Sequence, residues 1–93
     1  MPYLVALEAR AREQLESLDQ FHRRDFEQAT ILLEISPHPI PNSRAIREIV
    51  MFGQRFFKLY NGEFPYVIHY KIFEPESGSI GLVVVLRLTR ITP

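Results

Sequence analysis

Three prolines within five residues, Pro37, Pro39 and Pro41, are the feature that most limits what this chain can become. Each proline removes a backbone donor and pushes its predecessor toward extended geometry, so neither a helix nor a central strand can run through residues 36–43. The chain therefore falls into two parts that must pack on each other. With 93 residues it has enough material for one core and not for two, so residues 1–93 are expected to form a single domain.

The two parts differ in hydrophobic period. Upstream, Tyr3 to Leu7 is a short apolar run fit for a strand, after which Ala11, Leu15 and Leu18 recur at helical spacing with Glu8, Arg12, Glu16 and Asp19 facing away. Asp19 is a candidate N-cap for a second helix through Ile35, whose apolar stripe is Phe26, Ala29, Leu32 and Leu33. Downstream, the pattern turns to strands: Phe56 to Tyr60, an Asn61-Gly62 turn, Tyr66 to Phe73, a polar loop over 74–79, and Ile80 to Ile91. Residues 44–52 fit a helical turn or an edge strand equally well. The expected fold class is α+β, a two-helix hairpin packed on one face of a small, mainly antiparallel twisted sheet.

Alternation along the strands assigns side chains to faces. Tyr66, Ile68, Tyr70 and Ile72 share one face, and Val67, His69, Lys71 and Phe73 the other. In the last strand Leu82, Val84, Leu86 and Leu88 form an unbroken apolar set, opposed by Val83, Val85, Arg87, Thr89 and Ile91. The first set is expected in a core with Leu15, Leu18, Phe26, Ala29, Leu33, Ile68 and Tyr70. The second collects His69, Lys71 and Arg87 on an open face, joined by Lys58 and Tyr60, with Arg55 and Arg90 at the rim and Val67, Val83 and Val85 as its apolar contact residues.

Charge supports that view of the open face. The chain has 11 basic and 11 acidic residues, but residues 1–36 carry four basic against seven acidic and residues 37–93 seven basic against four. The second part is thus cationic, and most of its cations are arginines, suited to bidentate contact with phosphate or carboxylate. The absence of cysteine excludes disulfides, thiolate metal sites and thiol nucleophiles. The three histidines lack ligand spacing, so no metal and no cofactor is expected. No run is long and apolar enough for a membrane span, and the N-terminus lacks a signal-peptide pattern; a cytoplasmic protein is the expectation.

The order strand, helical hairpin, twisted meander resembles the RelE/ParE superfamily of toxins from type II toxin-antitoxin modules. The residues that carry the resemblance are Tyr3, Val5, Ala11, Leu15 and Leu18 in the opening, Arg55 to Phe64 with its Gly62-Glu63 turn, Tyr66-Val67-Ile68-His69-Tyr70-Lys71-Ile72, and Val83-Val84-Val85-Leu86-Arg87-Leu88. The resemblance implies a growth-inhibiting toxin, linked with plasmid stabilisation, that is neutralised by a cognate antitoxin. Its target would be gyrase, or the ribosome with its mRNA as a metal-independent endoribonuclease (an mRNA interferase). Val67 stands where RNA-cleaving members carry an arginine, and the chain ends at Pro93, short of the tail on which some members keep a catalytic tyrosine or histidine. Cleavage is therefore expected to be weak.

Metal-independent RNA cleavage needs a proton acceptor for the 2′-hydroxyl, cations for the phosphate and a donor for the leaving oxygen. Lys58, Arg87 and Arg90 are the candidate cations and His69 the candidate proton-transfer group. Tyr60, Val67, Lys71, Val83 and Val85 are candidate binding residues for an antitoxin segment or for a second copy in a homodimer. Two further readings use the same residues. The protein could be a catalytically silent binding module of the same fold, or the alternating Lys, Arg and His could simply keep an open sheet soluble.

Overall fold

The structure is a computed structural model and describes residues 2–62 and 64–91. Glu63, the acidic residue of the Gly62-Glu63 turn, and the chain end at Thr92 and Pro93 lie outside the described residues. Seven elements follow one another: β1 (Tyr3–Leu7), α1 (Ala9–Glu16), α2 (Gln20–Ile35), β2 (Ile46–Met51), β3 (Gln54–Tyr60), β4 (Tyr66–Phe73) and β5 (Gly81–Arg90). The five strands form one sheet in the order β1-β5-β4-β3-β2, with β1 parallel to β5 and every other pair antiparallel.

The helices form where the apolar period predicts them. The Asp19 side chain accepts a hydrogen bond from the His22 backbone N–H at 2.8 Å, which caps α2 and satisfies one of its orphan donors. Phe26, Ala29 and Leu33 are the buried stripe of α2, and Ala11 is the buried contact of α1. They close over Phe57, Leu59, Ile68, Tyr70, Val83, Val85 and Leu88 from the sheet. Burying side chains of this size stabilises by about 1.5–3 kcal/mol each before entropy is counted, so this single layer is the main source of stability.

The proline connector is anchored from below. Pro37 is fully buried, and its carbonyl accepts a 2.6 Å hydrogen bond from the phenol of Tyr70, whose pKa is pushed up by burial. Beside it the Glu74 carboxylate holds both His38, at 2.5 Å, and the Tyr3 hydroxyl, at 2.9 Å. These bonds outweigh the desolvation that opposes them and hold Glu74 below the usual carboxylate range. Gly81 faces Tyr3 across the β1–β5 ladder, and a Cβ there would sit 2.5 Å from the Tyr3 ring. Only glycine fits.

Residues 44–52 settle as the strand β2. Met51 pairs with Gln54, so Phe52-Gly53 is a two-residue hairpin loop, and both loop residues have positive φ, 53° and 72°. That geometry matches the twist of the flanking strands and closes the β2–β3 hairpin.

The structure corrects the face assignment in β5. His69 pairs with Arg87, but the next residue of β4, Tyr70, pairs with Val85, so Leu86 is an extra residue in β5. This β-bulge shifts the alternation by one residue. Val83 and Val85 are fully buried under the helices rather than exposed on the open face, whereas Val84 and Leu86 are half-exposed rather than core. Beyond the bulge the expected phase returns, with Leu88 buried and Arg87 and Thr89 exposed.

Candidate functional site

The helices cover one face of the sheet, and the register defines what stands on the other. On that open face Arg47 of β2 pairs with Lys58 of β3, Lys58 with His69 of β4, and His69 with Arg87 of β5. Four in-register residues therefore form one row across four strands. At about 4.8 Å between strands the row is roughly 14–15 Å long, and it contains no carboxylate.

His69 is in the middle of this row. It is half-buried, and its Nε2 lies 2.8 Å from the Thr89 hydroxyl. Desolvation, reinforced by the positive charges of Arg87 and Lys58, lowers its pKa to about 4. The imidazole is thus neutral at pH 7 and able to accept a proton, while the groups beside it are cationic. An arriving phosphodiester would bring the negative charge that the row lacks and would move that pKa back up.

The row borders a concave hollow of about 420 Å³ lined by Ile49, Met51, Phe56 and Leu86, by Lys58, His69 and Arg87 of the row, and by Glu8 and Arg10 from the β1–α1 junction. Lys71 stands on the same face, its ammonium 5.1 Å from the Phe56 ring centre and 2.7 Å from the Gln54 side-chain oxygen. On the other side of the row Tyr60 pairs with Val67 and Val67 with Thr89, and the Arg47 guanidinium lies 5.7 Å from the Tyr60 ring centre. Val67 is only 8% exposed although it belongs to the open face.

Lys58, Tyr60, His69, Lys71 and Arg87 are therefore brought together as the sequence suggests, whereas Val67 lies among them too deeply buried to serve as the expected contact residue. Arg90 is not brought there. It pairs with Tyr66, on the helix-covered face, and its guanidinium rests against the Tyr66 ring and hydroxyl. Strand alternation separates it from Arg87, and it cannot join the cation set. Arg55 likewise leaves the rim: it lies against Phe57 on the helix side and pairs with Glu48. Val83 and Val85 are core residues and cannot contact a partner on the open face.

Sequence reasoning missed Arg47, Glu8 and Arg10. Arg47 is invisible while residues 44–52 could be helix or strand. Once Phe52-Gly53 is read as a two-residue loop, pairing outward from Met51 and Gln54 places Arg47 opposite Lys58. Glu8 is the N-cap of α1 and Arg10 lies in its first turn, and the helical period alone does not show that this end of the helix reaches the open face of the sheet. Among the described residues no group of His, Asp and Glu side chains could hold a metal ion.

No family model matches the sequence, and no curated protein matches it. Solved structures do. The chain is similar to the archaeal RelE-RelB complex from Pyrococcus horikoshii OT3, with a TM-score of 0.68 at 21% identity over 97% of this chain and 96% of that one. It is also similar to the intact E. coli RelBE toxin-antitoxin complex, with a TM-score of 0.53 at 12% identity over 98% of this chain and 99% of that one. The isolated E. coli RelE toxin superposes with a TM-score of 0.56 at 13% identity over 98% of this chain and 86% of that one. Two helices on a five-stranded mixed sheet, matched over nearly all of this chain in each case, give it the RelE-like α+β fold.

Proposed function

We propose that this protein is the toxin of a toxin-antitoxin module, acting in the cytoplasm by binding and slowly cleaving RNA on the open face of its sheet. The observation that carries this reading is the Arg47–Lys58–His69–Arg87 row, three cations around a neutral imidazole, on a fold shared with toxins solved alone and with antitoxin.

In this reading the flanking cations hold the scissile phosphate and stabilise its transition-state charge. His69 accepts the proton of the 2′-hydroxyl as its oxygen attacks phosphorus. The bond to the 5′-oxygen breaks, leaving a 2′,3′-cyclic phosphate, and in the same reading the Lys58 ammonium returns a proton to the departing oxygen. Val67 offers no charge where the resemblance puts an arginine. One lost charge-assisted hydrogen bond, about 1.5–3 kcal/mol, slows such a step by roughly one to two orders of magnitude.

An antitoxin segment fits the same face. Leu4 of β1, Leu82 of β5 and Phe73 of β4 form a second in-register row, in which Leu4 is 53% and Phe73 52% exposed. A partner with acidic residues toward the cation row and apolar residues toward this one would cover both.

The test is induction of the wild type beside a Lys58→Ala, Arg87→Ala variant, following growth, mRNA ends and DNA supercoiling together. Growth arrest with cut mRNA in the wild type alone supports the proposal. Arrest with intact mRNA and altered supercoiling would point to gyrase instead, and unimpaired growth to a silent binding module.

A further inference from the structure

β2 is the edge of the sheet farthest from β1, and β3 is its one strand neighbour. Arg47 and Glu48 guard its first half, but the run Ile49-Val50-Met51-Phe52 carries no charge, and Val50, Met51 and Phe52 are 64%, 47% and 98% exposed. The register tells which backbone groups this edge leaves free. The Tyr60 N–H donates to the Ala45 carbonyl at 2.7 Å, and hydrogen-bonded pairs alternate along an antiparallel ladder. Ala45, Arg47, Ile49 and Met51 therefore bond inward to β3, while Ile46, Glu48 and Val50 turn their N–H and C=O groups outward. Among the described residues none of those outward groups has a hydrogen-bond partner. An unguarded edge of this kind is a template for another strand.

We infer that β2 pairs antiparallel with β2 of a second copy about a two-fold axis at Ile49, joining two five-stranded sheets into one of ten strands. An axis perpendicular to the sheet keeps the two open faces on one side, so Arg47, Ile49 and Met51 can oppose only one another, and Ile46, Glu48 and Val50 likewise. Centring the pair on Arg47 or on Glu48 sets like charges directly opposite, which destabilises. Centring it on Val50 shortens the overlap to residues 49–51. Centring it on Ile49 opposes Ile49 to Ile49, Arg47 to Met51 and Glu48 to Val50, so no like charges meet over residues 47–51. In that register the two Glu48–Val50 pairs exchange their hydrogen bonds through the groups that point outward. The segment is thus its own complement, which selects a second copy over an unrelated strand. Six strand residues a side are few against the roughly 20–30 of a standard interface, so association is expected in the range of about 10–100 μM. Both cation rows turn to the same side of the joined sheet, and the inference stands independently of the RNA reading.

Sedimentation equilibrium of the full chain from about 1 to about 500 μM should show a monomer passing into a dimer. Val50→Glu sets a carboxylate opposite Glu48 in both symmetric pairs and should weaken association about tenfold or more. Val50→Lys sets an ammonium opposite the same carboxylate and should associate at least as well as the wild type. The Val50 side chain is exposed in the single chain, so both variants should keep the far-UV circular dichroism of the wild type. The chain has no cysteine, so a single introduced thiol reads the register. In the dimer the two Ile49 Cα atoms form a non-hydrogen-bonded pair about 4.5 Å apart, within disulfide range, whereas the two Glu48 Cα atoms are about 8 Å apart and beyond it. Oxidation should therefore link Ile49→Cys into a covalent dimer and leave Glu48→Cys unlinked. A chain that stays monomeric throughout, equal losses in Val50→Glu and Val50→Lys, or linkage through Glu48→Cys in place of Ile49→Cys would each overturn the inference. A monomer whose β2 amides gain exchange protection only on adding an extended acidic peptide would overturn it too, and would assign the edge to a partner segment.

Discussion

The side-chain amide of Gln14 is paired in both directions with the backbone of Leu88: its nitrogen donates to the Leu88 carbonyl at 2.8 Å and its oxygen accepts from the Leu88 N–H at 2.7 Å. β1 ends at Leu7, which pairs with Val85, so β5 has no neighbouring strand on that side at Leu88. Gln14 reproduces from α1 the two hydrogen bonds a further strand residue would have made, directly after the Leu86 bulge. It thereby fixes where the alternation resets and keeps Arg87 on the open face.

Gln14→Ala is accordingly expected to destabilise the protein by about 1–3 kcal/mol, because two partly buried backbone groups lose their partners together. Chemical denaturation gives the magnitude, and amide exchange gives the location. Protection should fall first at Leu88 and its β5 neighbours. Uniform loss across the sheet, or no loss, would contradict this role.

Arg47 and Arg90 make a matched pair of tests for the cation row. Removing a cation that contacts a phosphate of single-stranded RNA lowers the slope of log affinity against log salt by about 0.7. Arg47→Ala should show that decrease together with weaker binding, whereas Arg90→Ala should show neither. Equal effects would mean that RNA follows overall charge rather than the row.

The same two arginines show how far the sequence can be read. Helix hairpin, proline connector and the strands from Phe56 onward follow from period and turn residues, because in those segments one face is apolar and the other polar. In β5 that contrast disappears: residues 82–86 are all leucine or valine, so a bulge within them changes every facing without leaving a trace in the pattern. The expectation that Val84 and Leu86 are core and that Val83 and Val85 are exposed failed for this reason. Arg90, expected at the rim beside Arg87, lies on the other side because side chains three apart on a regular strand point to opposite faces. Lys58, His69 and Arg87 are legible as sharers of one face because they are polar residues alternating within otherwise apolar strands. Glu8 and Arg10 required the tertiary fold.

His69 should make stability depend on pH. Its folded pKa of about 4 lies below the ordinary value of 6.5, so between these values the unfolded chain binds a proton that the folded chain refuses. Stability is therefore present above pH 6.5 and is lost as the pH falls toward 4. Because the ring is partly exposed, solvent screening limits the loss from this group to about 1 kcal/mol. Urea midpoints at pH 7 and pH 4.5 should converge more closely in His69→Asn than in the wild type. RNA should raise the imidazole pKa in an NMR titration, and a pKa unmoved by RNA would separate His69 from the phosphate site.

Phe52 offers a test in the opposite direction, a gain of stability. It is 98% exposed and has a φ of 53°, in the left-handed region that is unfavourable for a bulky L-residue by about 1–2 kcal/mol. Asparagine tolerates that region, and Asn-Gly is the preferred pair for a two-residue loop of this kind. Phe52→Asn therefore removes strain without removing a core contact. It is expected to stabilise the protein by about 1 kcal/mol, which for a domain of this size raises Tm by roughly 4–8 °C. The same variant should leave RNA binding by the row unchanged, since neither the Arg47–Lys58 pairing nor the Met51–Gln54 closure depends on the Phe52 side chain. An unchanged or lower Tm would show that the exposed ring makes a stabilising contact in solution.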